Sequence, residues 1–145
     1  MVTIRRAEAQ EAPIVAALSR LWSEEEVTFA YPASCEEQIV PLLGDFFWVA
    51  EREGTVVGYT FGSVRTSQYP VFPLNAPFLE IYEVYVHPEE RGAGIGRRLI
   101  ERIVEEAKTQ GVRHALVGSS NMDGRGIAQF YERHGFKMWY VQMYR

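Results

Sequence analysis

The sequence predicts a single α+β domain over residues 1–145, with a largely antiparallel sheet and one helix that crosses over between two neighbouring parallel strands. Short apolar stretches bounded by glycine and proline alternate along the chain with longer segments of helical periodicity. The two strands on either side of Gly54 have the composition of a hairpin. A chain of 145 residues is also long enough to bury a substantial core.

The first part of the chain contains one strand and two helical segments. Proline is favoured in the first turn of a helix, and Pro13 opens a pattern in which apolar residues recur at helical spacing. Ser34 is the predicted cap of a second, short helix that Gly44 ends. The predicted elements are a strand over 2–6, a helix from residue 13, an irregular segment over 23–34 and a short helix over 35–43.

The remaining chain alternates strands and helices. Gly111 and Gly135 are the predicted C-caps of the two later helices. The predicted elements are strands over 46–51 and 55–65, a loop over 66–77, a strand over 78–86, a helix over 94–110, a strand over 114–118, a helix over 125–134 and a last strand over 136–144.

Composition limits the classes of protein to which the chain can belong. Its net charge of −4 argues against a nucleic-acid-binding protein, which usually carries a basic surplus. No run approaches the roughly 18–20 apolar residues that span a bilayer, and the first residues lack the apolar core of a signal peptide. Cys35 is the only cysteine, and no histidine/cysteine cluster has metal-ligand spacing. We therefore expect a cytoplasmic protein without a metal, whose partner is neither a nucleic acid nor a membrane.

The most informative stretch runs from residue 83 to residue 100. An apolar strand stops at Pro88, which has no N–H to donate, and Gly92, Gly94 and Gly96 then lead into a helical pattern. Glycines let the backbone approach a ligand closely, and the first turn of a helix leaves several N–H groups unpaired. These donors and the helix dipole suit an anion such as pyrophosphate. Three cationic side chains lie around this predicted site: Arg91, Arg97 and Arg98.

The spacing of the glycines excludes two common nucleotide motifs. The dinucleotide fingerprint requires a glycine where this chain has Arg97, and no Gly-Lys-Ser/Thr sequence completes a P-loop. The remaining pattern, Arg91-x-x-Gly94-x-Gly96, resembles the Q/R-x-x-G-x-G/A signature of the GNAT superfamily of N-acetyltransferases. The resemblance implies the GNAT fold and acetyl-coenzyme A (acetyl-CoA) as co-substrate. The implied coenzyme contacts are Val84, Tyr85, Val86, Arg91, Gly92, Ala93, Gly94, Ile95, Gly96 and Arg97.

A second segment strengthens the resemblance. Residues 127–136, Ile-Ala-Gln-Phe-Tyr-Glu-Arg-His-Gly-Phe, resemble the family's Ala-x-x-Phe-Tyr-x-x-x-Gly-Phe segment. In many relatives this tyrosine, here Tyr131, protonates the departing coenzyme A thiolate. Relatives often have an asparagine where this chain has Gly124. The nearest asparagine is Asn121, which we predict to be a further coenzyme contact.

Acetyl transfer to an amine also requires a base, because an alkyl amine with a pKa near 10 is mostly protonated at neutral pH. The resemblance implies a base at Glu80 or Glu83, on the strand before the glycines. Strand alternation places these two on opposite faces unless a bulge intervenes. In relatives this strand carries such a bulge, which frees an N–H that can polarise a carbonyl. Glu83 is favoured because it is nearer the expected bulge, and Glu80 and His87 remain alternatives.

The sequence therefore predicts an N-acetyltransferase that moves an acetyl group from acetyl-CoA directly to a primary amine of a small molecule. Two alternatives stay open: a catalytically silent acyl-CoA-binding regulatory domain, and a protein or peptide N-acetyltransferase. The run Glu24-Glu25-Glu26 lies in the segment that lines the acceptor side in relatives, where it would attract a cation or remain a solvated surface. Many relatives form dimers, so a homodimer is a further hypothesis.

Overall fold

The computed structural model describes residues 1–67 and 74–145. Within these residues five strands form one sheet in the order β1-β2-β3-β4-β5. The strands are β1 Val2–Arg6, β2 Phe47–Arg52, β3 Thr55–Arg65, β4 Phe78–Val86 and β5 Ala115–Val117. Neighbours pair antiparallel from β1 to β4, whereas β4 and β5 are parallel. The predicted fold class is confirmed.

Helices pack on both faces of this sheet, and the two faces bury separate apolar clusters. Val15 of the first helix packs with Phe47 and Tyr59 on one face. Leu99 and Ile103 of the third helix are fully buried on the other face, where each contributes about 1.5–3 kcal/mol. The α-helices of the described residues are α1 Ala12–Glu25, α2 Glu36–Ile39, α3 Ile95–Thr109 and α4 Gly124–Glu132. Since α3 connects β4 to β5, it is the predicted crossover helix.

A bulge interrupts the pairing of β3 with β4. Phe61 pairs with Glu83 and the next residue, Gly62, pairs with Ile81, so Tyr82 has no partner on β3. One extra residue in a strand reverses the alternation of side chains beyond it. The bulge that the resemblance implied is therefore present, at Tyr82.

The consequence of the bulge is that Glu83 turns toward the α1 face. Ile81 packs in the cluster beneath α3, whereas Glu83 and Tyr85, beyond the bulge, contact residues on the α1 side. Gly62 permits the close strand approach at this point, because a β-carbon there would overlap the carbonyl oxygen of Glu80. Without the extra residue, strand alternation would place Glu83 on the same face as Ile81.

The sheet opens at the carboxyl end of β4. The parallel ladder with β5 joins only Leu79–Ile81 to Ala115–Val117, although β4 continues to Val86. On the β5 side, residues 84–86 therefore have no pairing strand among the described residues. The first turn of α3 and the helix α4 lie around this opening.

Several predicted boundaries and one predicted strand are wrong. The C-caps of α3 and α4 are Gln110 and Arg133 rather than Gly111 and Gly135. Helix α1 continues to Glu25, and the cap of α2 is Cys35 rather than Ser34. Residues 136–144 form no strand. The edge strand β5 is only three residues long, and strand propensity acts only where a pleated neighbour is available to pack against. Part of the predicted loop, residues 68–73, lies outside the described residues.

Candidate active site

The glycine turn before α3 has the backbone conformation of an anion site. Gly92 has φ +85° and Gly94, the N-cap of α3, has φ +79°, which are left-handed conformations that side chains rarely adopt. Ile95 is buried and anchors the first turn of the helix in the core. The amides of this first turn have no partner inside the helix, so they and the helix dipole can hold a phosphate.

Helix α4 packs directly against this turn. A β-carbon at Gly96 would lie 3.4 Å from Cζ of Phe130, so the small residue brings the two helices together. Tyr131 follows Phe130 and lines the opening between β4 and β5. The two sequence segments that carry the resemblance, remote along the chain, are thus neighbours in the fold.

These segments line a cavity of about 710 Å³. Glu80 and Ala93 are not among its lining residues, and neither is His87, whose Nδ1 accepts a hydrogen bond from the Glu89 amide at 3.2 Å. The cavity does bring together most of the site residues proposed from the sequence: Glu83, Val84, Tyr85, Val86, Arg91, Gly92, Gly94, Ile95, Gly96, Arg97, Asn121 and Tyr131.

The cavity has two chemically different walls. We call the lining residues among 84–86 and 91–97 the glycine wall, because three of them are glycines. We call Trp22, Tyr31, Tyr82 and Glu83 the aromatic wall, because three aromatic side chains line the cavity there together with one carboxylate.

The carboxylate of Glu83 is held by two tyrosines. Tyr59 and Tyr31 both donate to its Oε1, at 2.8 Å and 2.9 Å. Burial raises the pKa of Glu83, and the two hydrogen bonds offset part of this effect because they favour the charged form. No hydrogen bond from a described residue reaches its other oxygen, Oε2. A carboxylate with a raised pKa and a free oxygen in a cavity has the properties of a general base.

Glu80 is placed differently, although it lies on the same strand. Its Oε1 accepts from Nη1 of Arg65 on β3 at 3.0 Å, in an ion pair outside the cavity. The geometry therefore offers Glu83, and not Glu80, to a ligand in the cavity.

Tyr131 has the properties of a proton donor. Its ring packs against Phe130 and Phe136, at centroid distances of 5.2 Å and 5.6 Å. Burial raises its pKa to about 12, so the phenol stays protonated at neutral pH. Its hydroxyl can therefore donate a hydrogen bond to negative charge that develops nearby, as on a departing thiolate, which is the weaker base of the two with a reference pKa near 8.5.

Comparison with known proteins identifies the family. A profile of the acetyltransferase (GNAT) domain matches residues 44–138, which is more than half of the chain. The chain belongs to the GNAT family. Mycothiol acetyltransferase of Thermobispora bispora is 33% identical over 100 residues, which are 68% of this chain and 32% of that protein. An L-amino acid N-acyltransferase of Escherichia coli is 33% identical over 89 residues, which are 61% of this chain and 48% of that protein.

Solved structures show the same fold. An aminoglycoside N-acetyltransferase in complex with coenzyme A superposes with a TM-score of 0.79 at 18% identity, covering 100% of this chain and 94% of that one. The chain spans 32% to 53% of the length of the first curated relatives that it matches. Membership of the GNAT family therefore rests on the match over residues 44–138.

At this GNAT cavity the loop after β5 pairs with the segment that follows α1. Asn121 pairs with Thr28 in an isolated antiparallel bridge, which the Met122 amide extends by donating to the Val27 carbonyl at 2.8 Å. The side-chain oxygen of Asn121 accepts from the Asp123 amide at 2.8 Å. Asn121 thus lines the cavity, and its side-chain oxygen already has a partner within the loop.

Two site residues, Arg91 and Tyr85, share a partner that the sequence did not reveal. Glu25, at the end of α1, binds the guanidinium of Arg91 through both oxygens at 2.8 Å and 2.9 Å, and accepts from Tyr85 at 2.5 Å. Burial opposes the ionisation of Glu25, but the hydrogen bonds from Arg91 and Tyr85 outweigh it and lower its pKa. The run Glu24-Glu25-Glu26 indicated a carboxylate in this region, but nothing in the sequence shows that Glu25, the middle residue, is the one that binds Arg91.

Two further features bear on the chemistry. Among the described residues, no group of three or more His, Cys, Asp or Glu side chains is arranged to hold a metal ion. Over the same ranges, none of the helices has both the length and the apolar character needed to cross a bilayer.

Proposed function

We propose that the protein transfers the acetyl group of acetyl-CoA directly to a primary amine of a small molecule. The observation that carries this proposal is the arrangement around one cavity, where a candidate base, a candidate acid and a phosphate-binding turn all meet. The glycine wall would bind the coenzyme, and Glu83 on the aromatic wall would receive the amine.

The glycine wall fits the coenzyme in two ways. The unpaired amides of the first turn of α3 suit the pyrophosphate. The edge of residues 84–86 has no pairing strand, although the Val86 carbonyl accepts from Nε of Arg91 at 2.9 Å, and it suits an extended amide chain that pairs as an added strand. Acetyl-CoA, when bound, would supply an acetyl group activated as a thioester. An N–H of this edge is our candidate for the donor that polarises the thioester carbonyl.

Glu83 is the proposed base. Its free oxygen Oε2 would accept a proton from the ammonium group, which frees the nitrogen lone pair for attack. Tyr59 and Tyr31 hold Oε1, so they fix the orientation of the carboxylate and prevent its rotation away from the cavity. A carboxylate that is protonated cannot perform this step, so activity should fall as the pH drops through the pKa of Glu83.

Tyr131 is the proposed acid. Its hydroxyl would donate to the coenzyme sulfur as the C–S bond breaks and negative charge develops there. The raised pKa of about 12 keeps the phenol protonated until that moment.

The test compares two carboxylates of the same strand. Glu83→Gln keeps the shape and removes the proton acceptor, so we expect kcat for amine acetylation to fall by about 10²–10⁴. Glu80→Gln is the matched control, because Glu80 lies outside the cavity, and it should retain activity within about threefold. Release of free coenzyme A thiol, measured with acetyl-CoA and a primary amine, reports both rates.

The same assay separates the alternatives raised by the sequence. A protein that binds acetyl-CoA and releases no thiol with any amine or peptide is a silent binding domain, and the proposed function would then be wrong. Thiol release with amino-terminal peptides alone would make it a peptide N-acetyltransferase. Equal rates for the wild type and Glu83→Gln would remove Glu83 from the mechanism.

A further inference from the structure

The aromatic wall presents an apolar surface to the amine side of the cavity. The indole of Trp22 stacks on Tyr31 at 4.3 Å and on Tyr85 at 5.1 Å between centroids. Its N–H already donates to Oγ1 of Thr28 at 2.9 Å, so its polar atom is satisfied within the protein. Tyr82 also lines this side, and its hydroxyl is hydrogen-bonded to Ser63 at 2.8 Å. What remains for a ligand is ring surface around the carboxylate of Glu83.

The arginine beside the aromatic wall is already paired. Arg65 lies against Tyr82 and forms an ion pair with Glu80 at 3.0 Å. The other basic residues of the described lining are Arg91 and Arg97 of the glycine wall, with Arg133 and His134 just after α4. Residues 68–73, outside the described ranges, contain neither lysine nor arginine. An acceptor that carried a carboxylate would have to place it against the aromatic wall, where the adjacent arginine, Arg65, is already paired with Glu80. Removing a charged carboxylate from water without a partner is strongly unfavourable.

Negative charge on the amine side is also limited to one group. Glu25 is neutralised by Arg91, and Glu90, which lines the cavity, is neutralised by Arg52 at 2.7 Å. Among the described lining residues this leaves Glu83 as the one carboxylate without an arginine partner. A polyamine or an aminoglycoside would bring several positive charges, and all but one would lack a partner.

We propose that the acceptor is an arylalkylamine: one primary amine on an aromatic stem, without a carboxylate and without further cationic groups. The amine would bind at Oε2 of Glu83. The stem would lie against the rings of Tyr31 and Tyr82 and the edge of Trp22, whose ring already stacks on Tyr31 and Tyr85. Aromatic pairs stabilise such a contact beyond the area that they bury. This inference rests on the proposed function, whose base it uses.

A set of matched amines tests the acceptor class on the wild-type protein with acetyl-CoA, by thiol release. Phenethylamine is the basic probe, L-phenylalanine adds a carboxylate to the same skeleton, and L-phenylalanine amide adds an uncharged group at the same carbon. Spermidine and kanamycin represent polycations. We expect kcat/KM for phenethylamine to exceed that for L-phenylalanine by at least about 100-fold, with the amide within about tenfold of phenethylamine.

The outcomes distinguish this inference from the function on which it rests. Equal or faster turnover of L-phenylalanine, spermidine or kanamycin would overturn the arylalkylamine class and leave N-acetyl transfer intact. Thiol release with none of the amines would overturn both.

A pair of variants tests the aromatic stem separately. Trp22→Ala should raise KM for phenethylamine by about tenfold more than it raises KM for methylamine, which has no stem. Trp139→Ala, which removes an indole outside the cavity, should change neither value. An equal loss for both amines in Trp22→Ala would mean that Trp22 supports the fold of the site and does not contact the stem, which would contradict the inference.

Discussion

The two walls of the cavity handle charge by opposite means. The glycine wall offers backbone N–H groups at the start of α3 to an anion, and its geometry depends on two glycines with positive φ. The aromatic wall offers the side chain of Glu83 to a cation. Its geometry depends on two hydroxyls, that of Tyr31 in the segment between α1 and α2 and that of Tyr59 on β3. The first wall is made by consecutive residues, whereas the second is assembled from segments far apart in the chain.

This difference predicts how each wall responds to substitution. A site made of backbone amides is sensitive to changes in φ and tolerant of most side chains nearby. A site made of one carboxylate is sensitive to the loss of a single atom and to every group that sets its pKa. The predictions that follow test this contrast.

The largest effect is expected for Gly94→Val. A β-branched residue at φ +79° is strained by about 1–2 kcal/mol and would displace the amides of the turn. We expect acetyl-CoA at about 1 mM to raise the melting temperature of the wild type by mass action and to leave that of the variant unchanged.

The matched control is Gly111→Val. Gly111 has φ +80° and, like Gly94, has no atom within 4 Å of where a β-carbon would be, but it does not line the cavity. The two variants should lose similar stability, and only Gly94→Val should lose the response to acetyl-CoA. A response retained in Gly94→Val would mean that the coenzyme does not bind at the glycine wall.

The next effect in size is expected for Tyr131→Phe. The change removes one hydroxyl and keeps the ring packed between Phe130 and Phe136. Because the proton is needed only as the C–S bond breaks, kcat should fall by about 10²-fold while affinity for acetyl-CoA stays nearly constant. Tyr144→Phe, at an exposed tyrosine, is the control. Loss of coenzyme affinity with kcat unchanged would show instead that Tyr131 only shapes the cavity.

A smaller effect is expected for Tyr59→Phe, which tests the support of the base. Its hydroxyl donates to Oε1 of Glu83 at 2.8 Å and so favours the charged carboxylate. Without this bond the pKa of Glu83 should rise further, and the acidic limb of the pH profile of kcat/KM should move to higher pH. At a fixed pH on the acidic limb the rate should fall by about three- to tenfold, and a higher pH should restore it. A lower rate with an unshifted limb would contradict this account.

The smallest effect concerns the stability of the folded protein, which the burial of the charged Glu83 carboxylate should lower. Burial raises the pKa of Glu83 in the folded state, because it favours the protonated carboxyl. The stability contributed by this protonated form is fully present below the pKa that Glu83 has in the unfolded chain. That contribution is lost as the pH rises through the higher pKa of the folded state. Glu83→Gln carries no charge and should therefore melt on the order of 3 °C higher at pH 8, with the difference vanishing below about pH 4. A variant that melts lower at pH 8 would show that burial of the charge is not destabilising.

The sequence by itself determined the glycine wall, Tyr131 and the class of the fold. The glycines, the proline before them and the helix after them are neighbours in the chain, and the conformation of such a turn depends mostly on local backbone preferences. Patterning likewise located β1, β3, β4 and, within one residue at each end, α3. Helix α3 buries one apolar face, whereas β3 and β4 are apolar runs buried on both faces of the sheet.

Only the tertiary structure decided which carboxylate faces the cavity. The choice between Glu80 and Glu83 depends on the bulge at Tyr82, which reverses the alternation of β4 and arises from its pairing with β3. The properties of Glu83 also depend on hydroxyls that other elements bring to it, and those of Arg91 on Glu25 at the end of α1. The expected strand over 136–144 does not form, because a strand requires a neighbour as well as a pattern. A pKa and a register are set by groups distant in the chain, and local sequence does not specify which of those groups will meet.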